Sequence, residues 1–141
     1  MTTKPTIPPL PYAIDHVAIA VANLDEAIAQ YERALGVRVA HRETIEEQGV
    51  REALLDVGGS FVQLLEPISQ DSPVAKFLGK RGPGLHHVAY RVPNLIEAIA
   101  RLKESGSRMI DEAPRRGSRN TKIAFVHPAS MGGVLVELVE L

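Results

Sequence analysis

The 141-residue chain has no cysteine and no tryptophan, and it has only three phenylalanines and three tyrosines. Without cysteine it can form no disulfide, no thiolate zinc or iron–sulfur site and no cysteine nucleophile, and we expect a cytoplasmic protein. So few aromatic rings argue against a surface on which nucleic-acid bases stack. Any metal site in this chain must therefore use nitrogen and oxygen donors.

Long hydrophobic runs and an excess of one charge are also missing. The longest unbroken apolar run that we find is the six residues from Val17 to Ala22, whereas a membrane-spanning helix needs about 20 residues. Lysine and arginine number 16 and aspartate and glutamate 17, which gives a net charge of −1. Neither nucleic acid nor a membrane is therefore expected as a partner.

Length and composition favour one globular domain preceded by a short lead. A chain of 141 residues with 45% apolar and 23% charged residues is long enough to bury an ordinary core. Four prolines lie among the first eleven residues. We expect residues 1–11 to form a flexible lead and 12–141 to form the single domain.

An internal repeat divides that domain into two similar modules. Residues 15–29 align with 86–100 at an offset of 71, with ten of fifteen positions identical. A second similarity relates residues 61–66 to 135–140 at an offset of 74. The repeat predicts modules at 12–66 and 84–141, joined by a short helical linker over 67–83.

Each module shows the same order of elements. A strand of alternating character is followed by Asn23 or Asn94, each a good helix N-cap with a glutamate three residues later, and then by an apolar stripe at helical spacing. Three further strands complete each module, near 37–43, 50–57 and 61–66 and near 108–111, 122–127 and 134–141. We expect an α+β fold in which two βαβββ modules form one curved, partly open, mostly antiparallel sheet of eight strands, with the helices outside.

Four residues of ligand type occupy equivalent positions in the repeat. The first strand of each module has a histidine among small residues, and the last strand has a polar residue within an apolar run: His16 with Gln63, and His87 with Glu137. Burying an unpaired amide or carboxylate there would cost several kcal/mol. Two modules packed about a pseudo-two-fold axis would bring the four together as a His₂GlnGlu site for a divalent metal, with two adjacent positions open.

Each of these four residues also has an ordinary structural explanation. A lone histidine on a strand is more often part of the core or of an edge than a ligand. Gln63 alone is typical of a solvent-facing position, and Glu137 alone could protect an edge strand. The metal hypothesis therefore depends on the four residues together.

The remaining histidines are not expected to be ligands. Alternation along the strand points His86 to the face opposite His87, and the repeat aligns His86 with Asp15. His41 and His127 have no repeat partner of ligand type, so we interpret both as structural.

Several short segments, taken together, match one family. They are IDHVA at 14–18, EQGV at 47–50, DSPVAKFL at 71–78, GLHHVA at 84–89, FVHP at 125–128 and GGVLVEL at 132–138. On these segments the chain resembles the vicinal oxygen chelate superfamily and, within it, the methylmalonyl-CoA epimerase family. The resemblance extends from about residue 12 to residue 141.

The resemblance implies an isomerase that interconverts the (R) and (S) epimers of methylmalonyl-CoA. It implies a divalent metal, Co²⁺ by resemblance, although Mn²⁺, Zn²⁺ and Ni²⁺ accept the same ligands. The ion would chelate the thioester and carboxylate oxygens while the α-proton is removed and returned through an enolate. The resemblance also implies a homodimer with an acyl-CoA substrate.

Glu52 and Glu137 are the acid/base residues that the resemblance implies. Alternation puts Glu52 on the same face as Val50 and Leu54, where burial would raise the pKa of its carboxyl and make it a better base. A solvated strand residue beside Arg51 is the alternative interpretation. Coordination would make Glu137 a weaker base.

Three other functions and one further feature stay open at this point. A glyoxalase-type lyase would use a similar metal site on a glutathione adduct. An extradiol dioxygenase would bind Fe(II) with two histidines and a glutamate and would leave Gln63 without a role. A non-enzymatic binding module on the same fold would need no metal ligands at these positions. The four cationic side chains within 115–122 either meet the phosphates of CoA or form a solvated basic loop.

Overall fold

The computed structural model describes residues 9–141, so the expected flexible lead lies mostly outside the described residues. Its helices and strands follow in the order β1 (Ala13–Ala20), α1 (Leu24–Leu35), β2 (Val39–Ile45), β3 (Val50–Val57), β4 (Ser60–Pro67), α2 (Pro73–Arg81), β5 (Gly84–Arg91), α3 (Leu95–Glu104), β6 (Arg115–Arg116), β7 (Lys122–Val126) and β8 (Val136–Glu140). Between residues 9 and 141, no helix combines the length and the apolar character that crossing a membrane requires.

All eight strands belong to one sheet with the order β2-β3-β4-β1-β5-β8-β7-β6. The pairs β1/β4 and β5/β8 are parallel, and the other neighbours are antiparallel. The sheet curls into a half-barrel, which confirms the expected α+β fold. Because β1 and β5 pair at the centre, the two strands that carry the repeated histidines are neighbours. The domain and module boundaries stay a prediction.

Two amphipathic helices cover the outer, convex face of the sheet. The side chains of Asn23 and Asn94 accept hydrogen bonds from the backbone N–H groups three residues later, as the N-cap pattern predicts. Leu24 and Ile28 of α1 are buried against residues of β3 and β4, and α3 packs in the same way against β7 and β8. These two contacts leave the opposite face of the sheet free to carry polar groups.

The linker helix α2 lies on the inner face instead. Ser72 caps its first turn, and Val74 is buried against Ala18, Ala20 and Leu65 of that face. The general expectation that the helices lie outside therefore holds for α1 and α3 but not for α2. Since α2 crosses the concave side, it forms one wall beside the centre of the sheet.

One predicted strand is wrong. The second strand of the second module was expected near 108–111. This stretch is hydrogen-bonded through its backbone to Phe125 and His127 and makes one bridge, Met109 to Val126, but no continuous strand, and the edge strand β6 comes later at Arg115–Arg116. The Asp111 carboxylate accepts a hydrogen bond from Phe125 N, which uses an edge position on β7 that a strand would occupy. Pro114 follows and has no N–H to donate to a ladder.

Candidate metal centre

Two buried alanines mark the middle of the inner face. Ala18 on β1 is in register with Gln63 on β4 and with His87 on β5. Residues in register across neighbouring strands point to the same face, so the amide and the imidazole both project from the concave side. The alanine between them has only a methyl group, which leaves room above the sheet.

The repeat produces the same arrangement around β5, with β1 and β8 as its neighbours. Ala89 on β5, fully buried like Ala18, is in register with His16 on β1 and with Glu137 on β8. The offset of 71 that relates the two histidines also relates the two alanines. The four side chains that the sequence predicted as ligands are thus carried by adjacent strands on one face.

Three of these side chains converge on one point. The Nε2 atoms of His16 and His87 are 3.3 Å apart, and the Glu137 carboxylate lies 3.0 Å from His87 Nε2 and 3.7 Å from His16 Nε2. One ligand atom from each falls within 4.8 Å of the others, and all three residues are buried. A group of two imidazoles and a carboxylate in this geometry could hold a divalent metal ion.

Gln63 contributes an unpaired oxygen to the same region. Its Nε2 donates to Glu52 Oε2 at 2.5 Å, while its Oε1 is buried and has no hydrogen-bond partner. Leaving a buried acceptor unpaired costs about 1–3 kcal/mol, and a cation is a partner that would satisfy it. The residues present therefore fit a divalent ion, and the four-residue ligand set stays a prediction.

The electrostatics of the group keep His87 and Glu137 in the deprotonated states that a metal needs, whereas His16 must release its proton when an ion binds. Burial lowers the pKa of His87, which keeps the imidazole neutral. Burial alone would raise the pKa of Glu137, but the charge of His16 and the hydrogen bond with His87 lower it, so the carboxylate is anionic. Burial opposes protonation of His16 as well, yet the facing charges of Glu137 and Asp15 raise its pKa. The same negative field attracts a cation.

Two β-bulges turn the residue beside each histidine towards it. The register of β1 and β5 shifts between Ile14 and His16, and again beyond Ala18, where β5 skips His86. Asp15 therefore accepts a hydrogen bond from His16 Nδ1 at 2.6 Å. Fixing Nδ1 in this way leaves Nε2 free as the ligand atom.

The prediction that His86 points away from His87 is wrong for the same reason. The Nδ1 atoms of the two rings are 2.8 Å apart and hydrogen-bonded. Simple alternation fails here because a bulge places two successive residues opposite one. Burial and the neighbouring His87 lower the pKa of His86 to about 4, so His86 is a neutral partner of His87 where Asp15 is an anionic partner of His16.

Glu52 is fully buried on the inner face, which excludes the solvated alternative. Gln63 donates to one of its carboxylate oxygens and the Ser118 hydroxyl to the other. Burial raises the pKa of the Glu52 carboxyl in spite of these two hydrogen bonds. The result is a carboxylate held in place by donors and made more basic by its surroundings.

Two further titratable side chains, His41 and Glu43, lie beside Glu52. His41 Nε2 is 2.8 Å from Glu43 Oε1 and 4.0 Å from Glu52 Oε1. The backbone N–H of Arg119 donates to the same Glu43 oxygen, and the Arg116 guanidinium is 3.8 Å from the other. Because these donors already serve Glu43, His41 and Glu43 are tied to protein partners, which agrees with a structural role for His41.

Every cation of the 115–122 loop pairs with a carboxylate of the chain. The pairs are Arg115 with Asp111, Arg116 with Glu43 and Glu47, Arg119 with Asp15, and Lys122 with Glu140. These contacts favour internal charge balance over phosphate binding as the role of the loop. Sequence reasoning missed Ser118 and Asp15, and only the equivalence of Asp15 and His86 in the repeat hinted at the latter.

A cavity of about 570 Å³ opens beside His86 and His87. Three cationic residues of α2, Lys76, Lys80 and Arg81, line it together with apolar groups. A smaller cavity of about 200 Å³ also reaches both histidines and is lined by Val50, Leu65, Val74 and Phe125. Of the candidate metal centre, His87 thus faces both cavities, and the larger of the two has a basic, partly apolar wall.

Comparisons with known proteins agree with this geometry. Residues 15–125 match the Glyoxalase/Bleomycin resistance protein/Dioxygenase superfamily. The crystal structure of methylmalonyl-CoA epimerase from Mycobacterium tuberculosis superposes with a TM-score of 0.90 at 47% identity, covering 93% of this chain and 89% of that one. A methylmalonyl-CoA epimerase in complex with methylmalonyl-CoA and NH4+ gives a TM-score of 0.90 at 42% identity and covers 94% and 95%. The ethylmalonyl-CoA/methylmalonyl-CoA epimerase of Cereibacter sphaeroides is 36% identical over 130 residues, 91% of this chain and 97% of its own.

Proposed function

The chain belongs to the glyoxalase/bleomycin resistance protein/dioxygenase superfamily, and from that premise we propose that it is an isomerase that interconverts the (R) and (S) epimers of methylmalonyl-CoA. Relatives named for this activity align over nearly the whole chain. The observation that carries the proposal is the buried Glu52 carboxylate, hydrogen-bonded to Gln63, on the same face of the sheet as the group of His16, His87 and Glu137.

The reaction makes two demands on a protein. The α-carbon of methylmalonyl-CoA lies between a thioester and a carboxylate, and loss of its proton leaves an enolate whose oxygen carries negative charge. A divalent ion held by His16, Gln63, His87 and Glu137 supplies Lewis-acid stabilisation of that charge, worth several kcal/mol. The protein must also supply groups that remove the proton and return one to the opposite face.

Glu52 meets the demand for a base. Its carboxylate takes up the α-proton, and its raised pKa makes that transfer more favourable than it would be for an exposed glutamate. Ser118 and Gln63 hold the two oxygens, so the carboxylate keeps one orientation through the transfer. The second acid/base role belongs in this proposal to Glu137, on strand β8 of the same face.

Co²⁺ is the proposed ion. Two imidazoles, an amide oxygen and a carboxylate are donors that first-row divalent ions accept, and Mn²⁺, Zn²⁺ and Ni²⁺ are the alternatives. The lowered pKa values of His87 and Glu137 support binding at neutral pH, because both groups are then already deprotonated.

The larger cavity offers a place for the CoA portion of the substrate. Lys76, Lys80 and Arg81 line it, and three cations on one helix suit the phosphates of CoA better than the internally paired loop at 115–122. The cavity reaches His87, so an acyl group carried on CoA can extend to the proposed metal centre. A homodimer in the cytoplasm completes the proposal.

The test is conversion of a single epimer. Purified protein loaded with Co²⁺ is incubated with (S)-methylmalonyl-CoA, and the change in circular dichroism as the (R) epimer forms is followed. We expect conversion to a mixture of the two epimers at a rate proportional to enzyme. The hemithioacetal of methylglyoxal and glutathione is assayed in parallel. Turnover of that adduct without racemisation would contradict the proposal and favour a lyase, and binding of either compound without turnover would favour a binding module.

A further inference from the structure

Arg119 connects a loop of the second half of the chain to a histidine of the first half. It lies in the turn between β6 and β7, and its guanidinium Nη2 donates to Asp15 Oδ2 at 2.7 Å. The same oxygen accepts the hydrogen bond from His16 Nδ1 at 2.6 Å. One carboxylate oxygen is therefore shared between an arginine and a proposed metal ligand.

Asp15 is held from a second side as well. Arg91 Nε donates to the other oxygen, Oδ1, at 2.8 Å, and Arg91 Nη2 donates to the backbone oxygen of Gly59. With both oxygens engaged by guanidinium groups, the buried carboxylate cannot rotate freely, and the direction in which it accepts from His16 is fixed.

The position of Arg119 is itself strongly determined. Its backbone adopts the left-handed conformation with φ at 58°, which is uncommon for a residue with a side chain. Its N–H donates to Glu43 Oε1 at 2.6 Å, and its guanidinium carbon lies 5.1 Å from the centre of the Phe61 ring. Such a conformation persists where surrounding contacts compensate its cost, and these contacts all come from the first half of the chain.

We propose that Arg119 is a positioning residue that acts through Asp15 to orient the His16 ring for metal binding. The inference rests on the metal site of the proposed function and concerns only how one ligand is held. Because the guanidinium is permanently charged and shares Oδ2 with the ring, it fixes both the carboxylate and the tautomer that leaves Nε2 free. Arg119 is not one of the four proposed ligands.

The test measures Co²⁺ binding rather than turnover. Protein stripped by a chelator is titrated with Co²⁺, and affinity and the visible d–d spectrum are recorded for the wild type, Arg119→Leu and Arg119→Lys. Replacing groups that orient a metal-bound histidine weakens affinity roughly 10–100-fold, and we expect a loss near 10-fold for Arg119→Leu with a changed spectrum. Arg119→Lys, which keeps a cationic donor, should recover part of the loss.

Arg42→Leu is the matched control, because it removes an arginine–aspartate pair, Arg42 with Asp25, from the exposed surface. It should leave Co²⁺ affinity unchanged. If Arg119→Leu does not fold, Arg119→Gln, which keeps a polar side chain without the charge, replaces it with the same expected loss. The melting temperature of the metal-free variants is measured alongside. A variant that melts earlier yet binds Co²⁺ with wild-type affinity and spectrum overturns the inference.

The outcomes separate this inference from the proposed function. Wild-type protein that binds Co²⁺ but does not racemise methylmalonyl-CoA overturns the function alone, and the Arg119 result still stands on Co²⁺ binding. Wild-type protein that racemises the substrate while Arg119→Leu binds Co²⁺ normally overturns the inference alone. Wild-type protein that binds no Co²⁺ overturns both.

Discussion

At the residue scale, one amide links the proposed base to the proposed ligands. Gln63 donates through Nε2 to Glu52 and keeps Oε1 unpaired. A carboxylate in its place could present an oxygen to a cation, but it has no N–H group to donate to Glu52. The residue type at this position therefore follows from having a base and a metal ligand side by side.

Replacing Glu52 by glutamine should separate proton transfer from metal binding. Racemisation should fall by at least ~10²-fold, the usual scale for a lost general base, while Co²⁺ content stays at the wild-type level. Exchange of the α-proton of one epimer should persist through the remaining base. Epimer-specific exchange followed by NMR, with metal analysis, checks this, and near wild-type racemisation would make Glu52 a bystander.

Replacing Glu137 by glutamine should have a different signature. It exchanges an anionic donor for a neutral one, so Co²⁺ affinity and racemisation should fall together, because Glu137 lies 3.0 Å from His87 Nε2 within the proposed ligand group. A Co²⁺ titration run on both glutamine variants compares them directly. Unchanged affinity in Glu137→Gln would remove Glu137 from the ligand set.

Asp15 gives a pH-dependent contribution to stability. Burial would raise its pKa, but hydrogen bonds from His16 and Arg91 lower it from 3.8 to about 2. Its contribution is therefore fully present above pH 3.8 and is lost as the pH falls through 2. In urea unfolding, Asp15→Asn should be less stable than wild type at pH 7, and the difference should shrink between pH 4 and pH 2. A difference that does not vary with pH would contradict this assignment.

At the element scale, the turn before β7 places the Ser118 hydroxyl against Glu52 and the Arg119 guanidinium against Asp15. Gly117 begins it, and a Cβ there would lie 2.5 Å from Ile123 Cγ2 and 3.1 Å from Thr121 Oγ1. Because Ser118 follows directly, any displacement of the turn reaches Glu52. The turn is thus fixed by close approach of backbone to the core of β7.

Gly117→Ala should destabilise the fold by about 1–3 kcal/mol, the usual cost of overpacking, and should lower the racemisation rate as well. Gly79→Ala in α2 is the matched control, since nothing lies within 4 Å of its Cβ and its φ is not in the left-handed region. That change should be neutral or stabilise by about 0.5–1 kcal/mol. Chemical denaturation of both variants measures the effect, and equal stability of the two would contradict it.

The sequence was sufficient for elements whose signals are local. Asn23 and Asn94 cap their helices as predicted, because the capping side chain and the backbone N–H that donates to it lie three residues apart. The bulges at Asp15 and His86 were not predictable from alternation, since each depends on the register in which β1 and β5 pair. Edge strand β6 was not predicted, because the interruption of pairing between Met109 and Arg115 depends on tertiary contacts such as the Asp111 side chain with Phe125 N.

The same distinction explains the site. The equivalence of His16 with His87, and of Gln63 with Glu137, is written in the repeat, so a candidate ligand set could be predicted from the sequence. Its surroundings could not, because Ser118 is 66 residues from Glu52 in the chain and Arg119 is 104 residues from Asp15. Such partners become neighbours only when the two halves of the sheet pair.

At the scale of the whole molecule, the proposed metal site joins the two halves. His16 and Gln63 come from the first half and His87 and Glu137 from the second, and the antiparallel pair β1/β5 is the seam between them. An ion that binds only the folded arrangement stabilises both halves at once. The site is thus expected to strengthen cooperativity as well as stability.

Urea unfolding with and without metal tests that expectation. At a Co²⁺ concentration 100 times the dissociation constant, the free energy of unfolding should rise by about 2.7 kcal/mol in one cooperative transition. His16→Ala should lose most of this increment while keeping the transition cooperative. Two separate transitions, of which only one responds to Co²⁺, would contradict a site shared between the halves.

The measurement that tests the central claim most directly is α-proton exchange of methylmalonyl-CoA in D₂O. Deuterium uptake at the α-carbon and loss of the starting epimer are followed together for Co²⁺-loaded protein, for protein treated with a chelator, and for chelated protein to which Co²⁺ is returned. We predict that uptake and racemisation occur together in the loaded protein, cease after chelation and return with Co²⁺. Absence of exchange in the loaded protein, or exchange that chelation leaves untouched, would contradict a metal-assisted epimerisation at this site.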